Sequence, residues 1–219
     1  MIRKENSNSE AIILAIGGGG LNIATDLAKS KLISSYNIIA FDDEKERLEK
    51  NFTKESEIKF CGIEDFPDLV KHLLAKNFQT ESNPSKFGPL YDTMIICSTL
   101  GGRFSNAVAP LTGMLGRLGD IYRISLLTMP AKFEGIEIYE KALQAKDRII
   151  KACDVSIIMN NELLKEEKDL YLNDINEPLI ETFKFFWNKE SNAHGFMYDE
   201  NSALVRIIRN PLLEETDDN

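Results

Sequence analysis

Across residues 11–160, two hydrophobic patterns alternate along the chain. Short unbroken apolar runs of strand length are separated by stretches in which apolar residues recur every three or four positions. Residues 11–16 (AIILAI) form the first run, the pattern of a strand covered on both faces. Residues 21–32 have helical spacing, residues 37–41 (NIIAF) read as a second strand, 44–50 as a charged helix and 57–60 as a weaker strand. Residues 65–76 predict an amphipathic helix with Phe66, Leu69, Val70, Leu73 and Leu74 on one side. Residues 79–90, holding Pro84, Gly88 and Pro89, predict a loop. A strong buried strand follows at 93–97 (TMIIC), then a helix over 105–118 and a strand over 121–127. Residues 135–151 predict a helix with Tyr139, Leu143 and Ile150 facing inward, and residues 155–159 a strand that closes the series. Further on, Asn176 is suited to cap a helix whose first turn tolerates Pro178. The stripe of Leu179, Ile180, Phe183, Phe186 and Trp187 then reads as core packing.

This order predicts an α/β fold: a three-layer, Rossmann-like, open and mostly parallel sheet with helices on both faces. Ligands on such sheets bind at the carboxyl ends of the strands. The candidate positions are therefore those just after Ile16, Phe41, Cys97, Thr128 and Met159. Residues 1–10 read as a polar, flexible tail, residues 11–190 as one domain, and residues 191–219 as a C-terminal extension.

Composition removes several function classes. With a formal net charge of −9 and a pI near 4.9, the surface is unsuited to nonspecific contact with nucleic acid or anionic lipid. No apolar run reaches the ~18 residues of a membrane span, and residues 1–10 lack the apolar stretch of a secretory signal, so the expectation is cytoplasmic. Cys61, Cys97 and Cys153 are widely spaced and read as buried thiols. His72 lies in a polar helical stretch and His194 in a loop-like one, so neither is assigned a metal or catalytic role.

Four consecutive glycines, Gly17, Gly18, Gly19 and Gly20, follow the first strand and precede a helix. Such a run is entropically costly, lets the chain turn tightly, and allows a phosphate to approach backbone amides at a helix N-terminus. A side chain at Gly19 is expected to occupy the anion's place. The run is not a P-loop, since no Gly-Lys-Ser/Thr follows, and Asn22 breaks G-x-G-x-x-G. Asp42 and Asp43 stand about where a Rossmann protein keeps its ribose carboxylate, or form a solvated strand end. Residues 96–110 (ICSTLGGRFSNAVAP) repeat the strand–glycine–helix design on a later strand. Two such turns facing one another can enclose a triphosphate.

Taken in order, these segments resemble the nucleotide-binding domain of the FtsZ/tubulin superfamily. IGGGGLN (16–22) is similar to its first glycine loop, and NIIAFDDEKERL (37–48) to FIAINTDAQAL. Residues 92–119 align with the segment bearing GGGTGTG, LLTMPAKFEG (126–135) with VVTKPFxFEG, and DVSIIMNNELL (154–164) with DSLITIPNDKLL. The resemblance implies that Gly18, Gly19, Gly20 and Asn22 belong to the first phosphate loop. Gly101 and Gly102 would belong to the second, with Arg103 placed to pair with a phosphate. It also implies a ribose contact for Glu134, a guanine contact for Asn160 and an acidic loop position for Glu44.

Departures are visible as well. Arg103, Phe104, Ser105, Asn106 and Ala107 replace Gly-Thr-Gly-Thr-Gly, and Ile138 stands where the family has arginine. Residues 61–67 (CGIEDFP) lack the glycine- and alanine-rich loop that senses the terminal phosphate. Residues 195–205 (GFMYDENSALV) are the best match to the water-activating GLxNxDFADV. They leave Asp199 or Glu200 as the weak catalytic candidates, with Leu204 in place of another carboxylate. The last residues resemble SPLLED, so the resemblance implies that the family's C-terminal sheet domain is not part of the sequence given.

The resemblance therefore implies an FtsZ-like protein that binds GTP or GDP with weak or no hydrolysis, with Mg2+ only alongside GTP. Filament assembly or its regulation would be the output, through self-association or binding to a full-length FtsZ-type protein. A nucleotide-free interaction module of the same fold is the alternative. A dinucleotide-binding enzyme domain, resting on the glycine run and Asp42, is a third reading.

Overall fold

Every residue of the first apolar run is buried, as a strand covered on both faces must be. The computed structural model describes residues 11–33, 36–43, 58–78, 91–164, 175–190 and 204–210. The chain runs from β1 (Ala11–Ile16) into α1 (Gly17–Lys29), then β2 (Tyr36–Phe41), β3 (Ile58–Cys61) and α2 (Phe66–Phe78). Next come β4 (Thr93–Thr99), α3 (Arg103–Leu118), β5 (Tyr122–Met129), α4 (Ile136–Ala152) and β6 (Val155–Asn160). A short α5 (Asn161–Leu164), α6 (Glu177–Glu190) and β7 (Val205–Arg209) complete the described elements.

The strands form one seven-stranded sheet in the order β3-β2-β1-β4-β5-β6-β7. The first six are parallel and β7 is antiparallel, pairing Val205 with Met159 and Arg209 with Val155. The open, mostly parallel sheet is as the sequence predicts. Residues 155–159 do not close it, however, because β7 adds an edge strand with half-exposed and exposed residues that give only a weak pattern.

Alternation divides the core in two. Leu14, Ile16, Phe41, Met94 and Ile96 face α2, α3 and α4, whereas Ile13, Ala15, Ile38, Ile95 and Cys97 face α1 and α6. In α6, Leu179, Ile180, Phe183 and Phe186 are buried, so that stripe is core. In α4 the buried row is Ala142, Ala145, Ile149 and Ala152; Tyr139, Leu143 and Ile150 are half-buried at its margin. Small residues occupy the row because α3 lies close: a Cβ on Gly113 would stand 3.0 Å from the Cβ of Ala152. Helix 44–50 and loop 79–90 lie outside the described residues, as do both termini.

All three cysteines are buried thiols. Burial pushes the Cys97 thiol upward and that of Cys153 up to about 12, which leaves neither a nucleophile near neutral pH. His72, expected in a polar stretch, is 5% exposed and lies edge-on to Tyr91. Burial first, and Lys59 second, hold its pKa below 6.5. The fold thus favours the neutral ring, and the unfolded chain takes up the proton first as pH falls. His72 is expected to contribute full stability above pH 6.5 and to lose it as pH drops from 6.5 toward the lower folded value. Urea midpoints across this range should fall less steeply for His72→Gln than for the parent.

At the amino ends of β5 and β6, Asp154 accepts from the Arg123 backbone N–H at 2.7 Å, from Nε at 2.8 Å and from Nη2 at 2.6 Å. The two side chains are only 6% and 15% exposed. Asp154→Ala would leave a buried guanidinium without its carboxylate. Equilibrium urea unfolding should show a loss of about 3–5 kcal/mol.

Candidate functional site

In strand order, the chain turns one way from β1 to β2 and β3 and the other way from β4 onward. The carboxyl ends of β1 and β4 therefore border a topological switch point, where doubly wound sheets leave a crevice. Both glycine-bearing turns open onto it. Gly17 to Gly20 follow β1, and Gly101 and Gly102 follow β4.

The glycine run is not a turn preceding a helix at residue 21; it is the first turn of α1 itself. Its four members have different physical roles. Gly17 has φ +74°, a left-handed conformation that glycine adopts readily. A Cβ on Gly19 would fall 2.2 Å from Thr99 Oγ1, and one on Gly20 would fall 2.3 Å from the Cys97 carbonyl oxygen. These two glycines let α1 lie directly on β4. Gly19 therefore points at Thr99, which corrects the expectation that its side chain would take an anion's place. Gly18 has no atom within 4 Å of a Cβ, so its side faces open space. Asn22 is exposed one turn further along.

Helix α1 has no side-chain cap and no acidic residue in its first turn. The opening amides of a helix lack intrahelical acceptors and carry partial positive charge, so an anion is favoured beside Gly18. Asp42 tempers this. It is 5% exposed at the end of β2, with Oδ2 3.9 Å from where a Gly17 Cβ would stand, so it is not a solvated strand end.

The second turn is filled rather than open. Asn106 Oδ1 accepts the Gly101 N–H at 3.0 Å, and Ser105 Oγ donates to the Gly102 carbonyl at 3.2 Å. Phe104 stacks on Phe41 at 6.0 Å and 12° between planes, and Phe41 meets Phe66 edge-on at 5.6 Å. Gly101, with φ +118°, packs so tightly that a Cβ would lie 2.9 Å from Ile138 Cγ2. Arg103 is exposed at the start of α3.

Along the same edge, Glu134 Oε1 accepts the Ala131 N–H at 2.7 Å, capping the 3-10 turn Lys132–Glu134. Asn160 Oδ1 accepts the Glu162 N–H at 3.1 Å, and Glu162 Oε2 accepts the Lys132 N–H at 2.6 Å. The two residues expected at ribose and guanine thus share the carboxyl edge with the glycine turns, each with one side-chain oxygen engaged in the protein. Glu44, Asp199 and Glu200 lie outside the described residues. Phe104 and Asn106 are among the residues that replace the glycine–threonine signature, and their contacts show how they fill the turn; Glu162 carries no such sequence signal, since its Lys132 partner is 30 positions away. Among the described residues no three or more His, Cys, Asp or Glu form a metal site, and no helix is long and apolar enough to cross a membrane.

Sheet order and the paired turns define a doubly wound α/β protein. Comparison with known proteins narrows this. No protein-family model matches the chain. Over 75 residues, 34% of this chain and 20% of the relative, it is 29% identical to the cell division protein FtsZ of Aquifex aeolicus (strain VF5). A structure described as "FtsZ dimer, empty (M. jannaschii)" matches with TM-score 0.63 and 15% identity, covering 89% of this chain and 59% of that one. CetZ2 from Haloferax volcanii, described as a GTPgS-bound protofilament, matches with TM-score 0.59 and 14% identity, covering 84% and 60%. TubZ of Clostridium botulinum phage c-st matches with TM-score 0.57 and 17% identity, covering 85% and 61%. The chain has the FtsZ/tubulin-like fold, and it spans 59–61% of these solved chains.

The division of the glycine run can be tested without a ligand. Gly20→Ala forces a methyl against a backbone carbonyl and should cost about 1–3 kcal/mol. Gly18→Ala adds a methyl to open space and should be neutral or stabilising by up to about 1 kcal/mol. Thermal and urea unfolding of the pair would check both.

Proposed function

We propose that this chain is an FtsZ-like module that binds a guanine nucleotide, GTP or GDP, through the N-terminal amides of α1. The observation that carries the proposal is Gly18: it faces open space at an uncapped helix N-terminus on the switch point, while Gly19 and Gly20 press that end onto β4. Support comes from solved proteins of the same fold, described as a GTPgS-bound protofilament of CetZ2 and a GDP-bound monomer of CetZ1 from Haloferax volcanii. Glu134 and Asn160, on the same edge, are the residues proposed to meet ribose and guanine.

Hydrolysis is proposed to be weak or absent. The second turn has its Gly101 amide engaged by Asn106 and its flank filled by Phe104. A placed carboxylate is needed to orient and deprotonate water, and Asp199 and Glu200 are the residues proposed for that role, with Arg103 as a phosphate partner. Mg2+ belongs to this reading only with a triphosphate. Phosphate oxygens and water would supply most of its ligands, since the described residues form no metal site of their own. The output proposed is filament assembly or its regulation, by association with copies of itself or with a full-length FtsZ-type protein. One solved relative is titled an FtsZ dimer, and TubZ of Bacillus thuringiensis serovar israelensis is described as GDP-form protofilaments.

The filled second turn also favours a second reading, a nucleotide-free interaction module. Calorimetric titration with GTP, GDP, ATP and NAD separates the two. Saturable heat with a guanine nucleotide is expected, and Gly18→Asp should weaken it at least tenfold, about 1.4 kcal/mol, while circular dichroism stays unchanged. Heat from none of the four would leave the interaction module standing. NAD alone would point to the dinucleotide enzyme.

A further inference from the structure

Helix α3 lies between α2 and α4 on one side of the sheet, and its outward face is exposed. That face is a straight row: Arg103, Ala107, Leu111, Met114 and Leu118, with Arg117 beside it. The spacing of four, four, three and four residues keeps all five on one side of the helix. Leu111, Met114 and Leu118 are 42%, 58% and 63% exposed. The opposite side of α3 is already committed to the core through Val108, Ala109 and Leu115. An exposed aliphatic row of this kind on an otherwise charged surface marks an interaction site.

Charge indicates what fits. The chain has a net charge of −9, yet α3 contains no Asp or Glu, and its only charged residues are Arg103 and Arg117 near its two ends, both exposed. Two copies meeting α3 to α3 would bring arginine toward arginine whether the helices run parallel or antiparallel, a like-charge approach that disfavours self-pairing. Two arginines on an acidic protein also fall short of the basic cluster that anionic lipid requires. A partner helix with a matching apolar row and carboxylates on its flank satisfies both features.

We propose that the outward face of α3 is a docking site for an acidic amphipathic helix of a partner protein. Leu111, Met114 and Leu118 receive its apolar row, and Arg117 pairs with its carboxylates. The 16 residues of α3 offer a contact about 24 Å long, room for about four turns of a partner.

The probe is a labelled synthetic helical peptide of similar length, with leucines on one face and glutamates flanking them. A sister peptide carries lysines in place of the glutamates. Fluorescence anisotropy with the full chain should show saturable binding of the glutamate peptide and none of the lysine peptide. Met114→Glu should weaken binding at least tenfold, and Arg117→Glu should reverse the preference between the peptides. No binding of the glutamate peptide, equal binding of both, or indifference to Met114→Glu would overturn the proposal. So would three results that assign the face elsewhere. One is a sedimenting dimer lost in Met114→Glu. Another is binding to phosphatidylserine vesicles lost in the same variant. The third is peptide binding that appears only after Leu212→Asp and Leu213→Asp, which would mean that the chain's own end fills the face.

Discussion

The approach of α1 to the backbone of β4 sets the geometry of the crevice. No methyl fits between Gly20 and the Cys97 carbonyl, and none fits between Gly19 and Thr99. Helix–sheet contacts usually interpose side chains; here the helix N-terminus rests on main chain. That contact fixes which side of the run faces outward, and so makes Gly18 the exposed position. Thr99 is in turn held by Thr128, whose Oγ1 donates at 3.0 Å, so the ends of β4 and β5 are tied to the same point. The Leu100 N–H reinforces this by donating to the Thr128 carbonyl at 2.9 Å. The glycine pair thus positions α1 first, then the strand ends that bear the second turn.

From this follows an asymmetry between the two turns. Each begins a helix without an acidic residue in its first turn, and each would favour an anion on dipole grounds alone. Their side chains decide otherwise. Around α1, Asp42 lies beside Gly17 while Gly18 stays open. At the second turn Asn106 takes the Gly101 amide just before α3 and Phe104 lies on Phe41, although α3, like α1, has no side-chain cap. An amide already hydrogen-bonded offers an anion little, because displacing its partner costs about what the new bond returns. The first turn is therefore the one that carries the binding proposal.

Much of this was legible in the sequence, and the limits have physical causes. Buried parallel strands are continuous apolar runs, so β1, β2, β4 and β6 stand out, and the glycine turns fall at their carboxyl ends. The antiparallel β7 was missed because its residues alternate weakly between half-buried and exposed. His72 looked polar because its burial comes from Tyr91, 19 positions away in sequence, rather than from its own helix pattern. The roles within the glycine run were not separable either. All four residues are alike as letters, and only the position of β4 distinguishes the packed pair from the open one. The split at Glu134, with one carboxylate oxygen spent on the Ala131 amide, depends likewise on a turn geometry that spacing does not reveal.

The two ends of the sheet are built from opposite chemistry. At the amino end, polar groups pair with one another: Arg123 with Asp154, Asn37 with Tyr91, and Asn210 Nδ2 with the Lys151 and Cys153 carbonyls at 3.1 and 3.2 Å. Buried polar groups without partners are costly, so these pairs help to hold the fold at this end. At the carboxyl end, α1 instead begins with uncapped amides beside an open glycine side, a gap in hydrogen bonding that water or a ligand must fill. The pairs at the amino end lie at the opposite edge of the sheet from the uncapped start of α1. The same separation explains how Asn106 and Phe104 can fill the second turn while leaving the core intact. They alter the open edge, where side chains are replaceable, and leave untouched the glycine-to-backbone contact that positions it.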